Sequence, residues 1–123
     1  MKQKPKNLNL FNLKLSVMAL VSILHRISGI LLFLLIPCVL FILKISLASE
    51  VNFIIVKNYF SIIFVKICLI FFLSLLIYHL FAGIRHIFMD FGMWENKKGG
   101  IRSAKGVLYF FSLFVLIMGV FIW

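Results

Sequence analysis

The chain of 123 residues is short of acid. Three Asp plus Glu stand against thirteen Lys plus Arg, and charged residues of both signs make up only 13% of the whole. So few charges cannot cover a water-facing surface, which excludes a soluble globular domain. Cysteine is scarce too, and Cys38 and Cys68 each lie inside an apolar run with no CxxC or Cys/His spacing. Both read as small hydrophobes, and neither suggests a metal or redox motif. What fills the chain instead is apolar: 64% hydrophobic residues and a mean hydropathy of +1.19, which places it in a bilayer. The fifteen Phe read as lipid-facing bulk. The formal charge of +10 would point to nucleic acid on a soluble protein. Here the basic residues flank apolar runs, where they act as topology signals and lipid-headgroup contacts, so no nucleic-acid partner is expected.

Three uncharged stretches stand out: Ile27 to Leu43, Ile67 to Ile84 and Val107 to Trp123, each close to the ~20 residues needed to cross the hydrocarbon core. With their apolar flanks they predict an all-α membrane protein with spans at 20–46, 60–91 and 104–123, behind a basic tail over 1–19. Pro37 falls inside the first span, where the carbonyl it frees needs a neighbour. Gly92 suits the left-handed stop of the second helix, and Glu95 to Gly100 reads as a polar loop before the third. The N-terminal stretch has no compact apolar core with a cleavage site, and it lacks the Arg and Ser enrichment of a transit peptide. The expected origin is therefore a bacterium, an organelle's own synthesis, or a processed precursor.

Lys2, Lys4, Lys6, Lys14 and Arg26 flank the first span on its N-terminal side, and Arg85, Lys97, Lys98, Arg102 and Lys105 surround the second loop. Only Lys44, Lys57 and Lys66 lie at the other side. The imbalance puts the N-terminus inside and the C-terminus outside, as an odd number of spans requires. Trp94 and Trp123 read as anchors at the two membrane surfaces.

Polar residues inside spans are costly and mark function. On the first helix, Ser22, His25, Arg26 and Gly29 follow i, i+3, i+4 and i+7 and share a face. Snorkelling accounts for Arg26 alone, but not for a Ser and a His on the same stripe. On the second, His79, Gly83, His86 and Asp90 also share a face, with His79 about 16 Å deeper than Asp90. A neutral imidazole at that depth serves an interhelical hydrogen bond, a proton path or a haem iron. Gly83, one turn away, favours haem, since a porphyrin needs a helix face without bulk. His25, Arg26, Arg85 and His86 are then candidate partners for the propionates. A single deep His leaves the other axial position to another polypeptide, so a partner subunit or a homodimer is expected.

Both clusters resemble a known family. Ser22-Ile23-Leu24-His25-Arg26-Ile27-Ser28-Gly29 is similar to its SxxHRxSG motif, and the run from His79 to Gly92 to its HxxxGxRHxxxD motif. That family is the cytochrome b556 subunits of succinate dehydrogenase, the large membrane anchors of respiratory complex II. Pro5-Lys6-Asn7-Leu8, Arg102-Ser103-Ala104-Lys105 and the terminal Trp123 also fit, so the likeness covers essentially the whole chain. The resemblance implies a helical bundle completed by a second, smaller anchor subunit, together with an iron–sulfur subunit and a flavoprotein that oxidises succinate. It implies haem b shared between the two anchors and ubiquinone as substrate, in a bacterial cytoplasmic or mitochondrial inner membrane. By the same resemblance His79 is the axial ligand to the haem iron and His25 lies by a propionate. Ser22 and Arg26 line the ubiquinone site, with Asp90 near it. The chain itself has no residues for succinate oxidation and no nucleotide-binding motif. Rival readings are a fumarate-reductase-type or haem-free anchor and a non-redox structural membrane protein.

Overall fold

A computed structural model describes residues 16–123; of the predicted tail, 1–15 with Lys2, Lys4, Lys6 and Lys14 lies outside them, and 16–19 instead forms the start of the first helix. Four helices follow in order: α1 (Val17–Ser46), α2 (Glu50–Tyr59), α3 (Ile63–Asp90) and α4 (Lys97–Ile122). Three of them, α1, α3 and α4, are long and apolar enough to cross a membrane. At 1.5 Å per residue they run for about 45, 42 and 39 Å, more than the ~30 Å hydrocarbon thickness, so they tilt or protrude.

Four of the boundaries have a local cause. The Ser16 hydroxyl accepts the Ala19 N–H at 3.3 Å and starts α1 at Val17. The helix then continues through Pro37. The short α2, absent from the three-span reading, is started by Ser49, whose hydroxyl accepts the Asn52 N–H at 3.1 Å. Glu50 in its first turn and Lys57 in its last complement the helix dipole. At the end of α3, Gly92 takes a φ of +80°. Its N–H bonds the Met89 carbonyl at 2.9 Å and that of Met93 bonds the Phe88 carbonyl at 3.0 Å, a Schellman ending that glycine's missing Cβ permits.

The expected loop from Glu95 to Gly100 is shorter than predicted. The Asn96 side chain accepts the Gly99 N–H at 2.6 Å and caps a helix that begins at Lys97. A Cβ on Gly100 would lie 2.5 Å from the Met18 Sδ. Gly100 therefore lies against α1, while a Cβ on Gly99 would meet Asn96 and Trp94 at the start of its own helix.

The packed stripes are regular. Val21, Ser28 and Leu32 are buried on α1, Tyr78, Ala82 and Arg85 on α3, and Gly100, Ala104 and Val107 on α4. The mixture of Ala, Gly and Ser is what close packing of membrane helices requires. As residue numbers rise along α1 from His25 to Gly29, their neighbours on α3 fall from Gly83 to His79, so these helices are antiparallel. Val21, Tyr78, Ala82, Ala104 and Val107 form one core cluster, which lies where α1 and α4 begin and α3 approaches its end. Toward the other end the side chains face outward: Phe33 is 77% and Phe121 86% exposed. There Lys66 Nζ lies 5.9 Å from the Trp123 ring centre, linking the start of α3 to the end of α4.

Candidate functional site

Antiparallel packing of α1 on α3 brings all three histidines of the chain together. The His25 and His79 rings stack with centroids 4.2 Å apart and planes 22° from parallel, and His86 lies 5.1 Å from His25 on its other contact. One glycine eases the approach: a Cβ on Gly29 would lie 3.1 Å from His79 Cε1, tighter than ordinary contact. A Cβ on Gly83 would lie 3.5 Å from His25 Nε2, an ordinary contact.

The deep imidazole is held through one nitrogen. Ser28, 2% exposed, donates its hydroxyl to the His25 carbonyl at 2.8 Å. His79 Nδ1 lies 3.0 Å from the Ser28 Oγ and 3.3 Å from that same carbonyl. A carbonyl oxygen can only accept, and the serine proton is already given to it, so Nδ1 faces two acceptors and carries the proton. The remaining nitrogen, Nε2, is then the one with a free lone pair. His79 thus makes an interhelical hydrogen bond while keeping a ring nitrogen available as a metal donor. The His25 Nε2 is buried with no hydrogen-bond partner. An unpaired buried polar atom is costly, and a carboxylate is the kind of group that would satisfy it.

The other predicted residues spread around this centre. Ser22 is half-buried and Arg26 exposed on α1, one turn apart along the edge of the His25 stripe. Asp90 is exposed in the last turn of α3, where the helix dipole disfavours a negative charge. Arg85 corrects an expectation, because it does not face the histidines. It is 4% exposed, donates Nε–H to Ser103 Oγ at 3.0 Å and an Nη2 proton to the Gly100 carbonyl at 3.4 Å. Ser103 itself donates to that carbonyl at 3.0 Å. Arg85 falls one position before His86 and so points from α3 toward α4. Its charge belongs to the helix junction, beside a cavity of about 370 Å³ lined by Phe81, Phe88, Trp94 and Phe110.

Ser28 is the site residue that residue-by-residue reading passed over. Its signal was present, since it stands three residues after His25 within the SxxHRxSG pattern and so on the same face. Serine in a helix bonds its own backbone so often that such a position draws no notice. Two further contacts complete the surroundings. The Tyr78 hydroxyl donates to the Val21 carbonyl at 2.9 Å, and its ring meets Phe111 edge-on at 5.2 Å.

Comparison with known proteins places the chain in a family. A family model described as "Succinate dehydrogenase/Fumarate reductase transmembrane subunit" matches residues 1–119. The succinate dehydrogenase cytochrome b556 subunit of Coxiella burnetii is 36% identical over 126 aligned positions, covering 98% of this chain and 98% of the relative. The protein of the same name from Rickettsia bellii is 31% identical and covers 96% of this chain and 92% of its own. That of Rickettsia prowazekii is 33% identical over 73% of this chain. With three membrane-length helices and matches that run nearly end to end, the chain belongs to the succinate dehydrogenase/fumarate reductase transmembrane subunit family, alongside the cytochrome b556 subunits.

Proposed function

We propose that this chain binds haem b through His79 Nε2 and forms part of the ubiquinone-reducing site of a succinate:ubiquinone oxidoreductase. The observation that carries the proposal is the Nδ1 of His79, tied to Ser28 Oγ and the His25 carbonyl, which leaves the opposite nitrogen for iron. A second, smaller anchor subunit would complete the hold on the haem. Haem b supplies reversible one-electron storage within the membrane. His25, whose buried Nε2 has no partner among the described residues, would hold a propionate carboxylate.

Ubiquinone reduction needs hydrogen-bond donors at the carbonyl oxygens, a cation near the charge that builds on them, and protons. Ser22 supplies a hydroxyl and Arg26, one turn on, a permanent cation with several donors. Both stand near the inner membrane surface, beside which an iron–sulfur subunit delivers electrons from a flavoprotein that oxidises succinate. Asp90, exposed in the last turn of α3, lies near the quinone site. The chain sits in a bacterial cytoplasmic or mitochondrial inner membrane, its N-terminus on the cytoplasmic or matrix side.

The test is a comparison of the purified complex with its variants. The wild-type complex shows a b-type band in the reduced-minus-oxidised spectrum, and His79→Ala removes it. Arg26→Leu lowers succinate–quinone reductase activity by roughly 100-fold, the loss expected for one charge-stabilising donor. Reduction of a water-soluble dye by succinate, which bypasses the anchor, stays close to wild type. A wild-type complex with no b-type band returns the haem-free anchor, and equal loss of both activities in Arg26→Leu marks a failure of assembly instead.

A further inference from the structure

From the geometry around His79 we infer that Ser28 is a positioning residue for haem: its Oγ accepts the His79 Nδ1 proton and fixes the tautomer, the ring angle and the donor strength of Nε2. This inference rests on His79 being the axial ligand and adds the group that tunes it. Three observations converge. Ser28 is 2% exposed, so water does not compete for its hydroxyl. Its own proton is committed to the His25 carbonyl at 2.8 Å, which leaves Oγ able only to accept from Nδ1, at 3.0 Å. The same carbonyl lies 3.3 Å from Nδ1, so both oxygens favour one tautomer and one orientation of the ring.

The arrangement also confines the ring from the side. A Cβ at Gly29 would lie 3.1 Å from His79 Cε1 and 3.6 Å from Nδ1, so the backbone of the residue after Ser28 borders the same edge of the imidazole. Ser28 and Gly29 act as a pair, one gripping Nδ1 and the other admitting the ring. A metal-ligating imidazole whose second nitrogen donates to an acceptor is more basic, and loss of such an acceptor weakens metal affinity by about 10-fold or more. A stronger donor also stabilises the oxidised iron and lowers its potential.

The experiment uses the complete complex carrying Ser28→Ala or Ser28→Thr. Co-purification of the flavoprotein and iron–sulfur subunits with this chain serves as the measure of assembly. The readouts are haem per assembled complex, the midpoint potential of the b-type band, and the electron paramagnetic resonance signal of the ferric haem. Ser28→Ala is expected to retain less haem and to shift the midpoint to a more positive potential. Its ferric signal broadens as the ring loses its fixed angle. Ser28→Thr keeps an Oγ and restores all three toward wild type. The inference is overturned if Ser28→Ala matches wild type in potential and ferric signal, or if both replacements block assembly, which makes Ser28 a folding residue. A wild-type complex without a b-type band fails differently, because it removes the ligand role of His79 itself.

Discussion

At the scale of single residues, the chain uses its few polar side chains in two separate junctions. His25, His79, His86 and Ser28 occupy the α1–α3 contact, and Arg85 with Ser103 the α3–α4 contact. Sequence spacing identified the first, because 3.6-residue periodicity shows which residues share a face. It could not tell which way Arg85 points, since a residue one position from His86 can turn toward either neighbouring helix. Tertiary packing settles that, and it gives Arg85 a structural task. Ser103→Ala leaves the Nε–H of a buried cation without its acceptor, at a cost of about 1–3 kcal/mol. The purified complex carrying it should unfold at lower temperature, while a b-type spectrum at low temperature remains that of wild type. A changed spectrum with unchanged stability would instead tie Arg85 to the histidine junction.

Among the elements, small residues decide how closely the helices approach. Val21, Ala82 and Ala104 are fully buried, and Gly100 faces Met18 with no room for a methyl group until the Met18 side chain moves. Gly100→Val therefore pushes the Met18 side chain out of its place, with an overpacking cost of about 1 kcal/mol. Met18→Ala in the same chain should recover part of that loss by opening the space. Thermal denaturation of the two single variants and the double variant measures the coupling, and strict additivity would show that Met18 and Gly100 do not meet. The three long helices were legible from hydropathy because each is an unbroken apolar run. The start of α4 at Lys97 was not, since Lys97-Lys98-Gly99-Gly100 reads locally as a polar loop, and only the Asn96 cap and the contact with α1 make it helical. The short α2 was missed for a related reason: Glu50, Asn52, Lys57 and Asn58 interrupt the apolar pattern that marked the spans.

Over the whole molecule, the distribution of positive charge predicts an orientation, and the packing gathers the polar side chains into two junctions. By sequence, ten of the thirteen basic residues fall on the side predicted to be inside, so a reporter enzyme that functions only outside the membrane should be active when fused after Trp123. One that fluoresces only inside should be dark there; the opposite pattern would invert the topology. Membrane class, the three spans and the positions of the His79 and His25 motifs followed from the sequence by itself, because hydropathy, charge bias and helical spacing are local properties that a bilayer reads directly. Only the tertiary structure decided that Ser28 holds Nδ1 of His79, that Arg85 turns to α4, and that Gly29, Gly83 and Gly100 are contact points. Those outcomes depend on which faces of antiparallel helices meet and at what height, and that register is set by close packing between residues far apart in the chain.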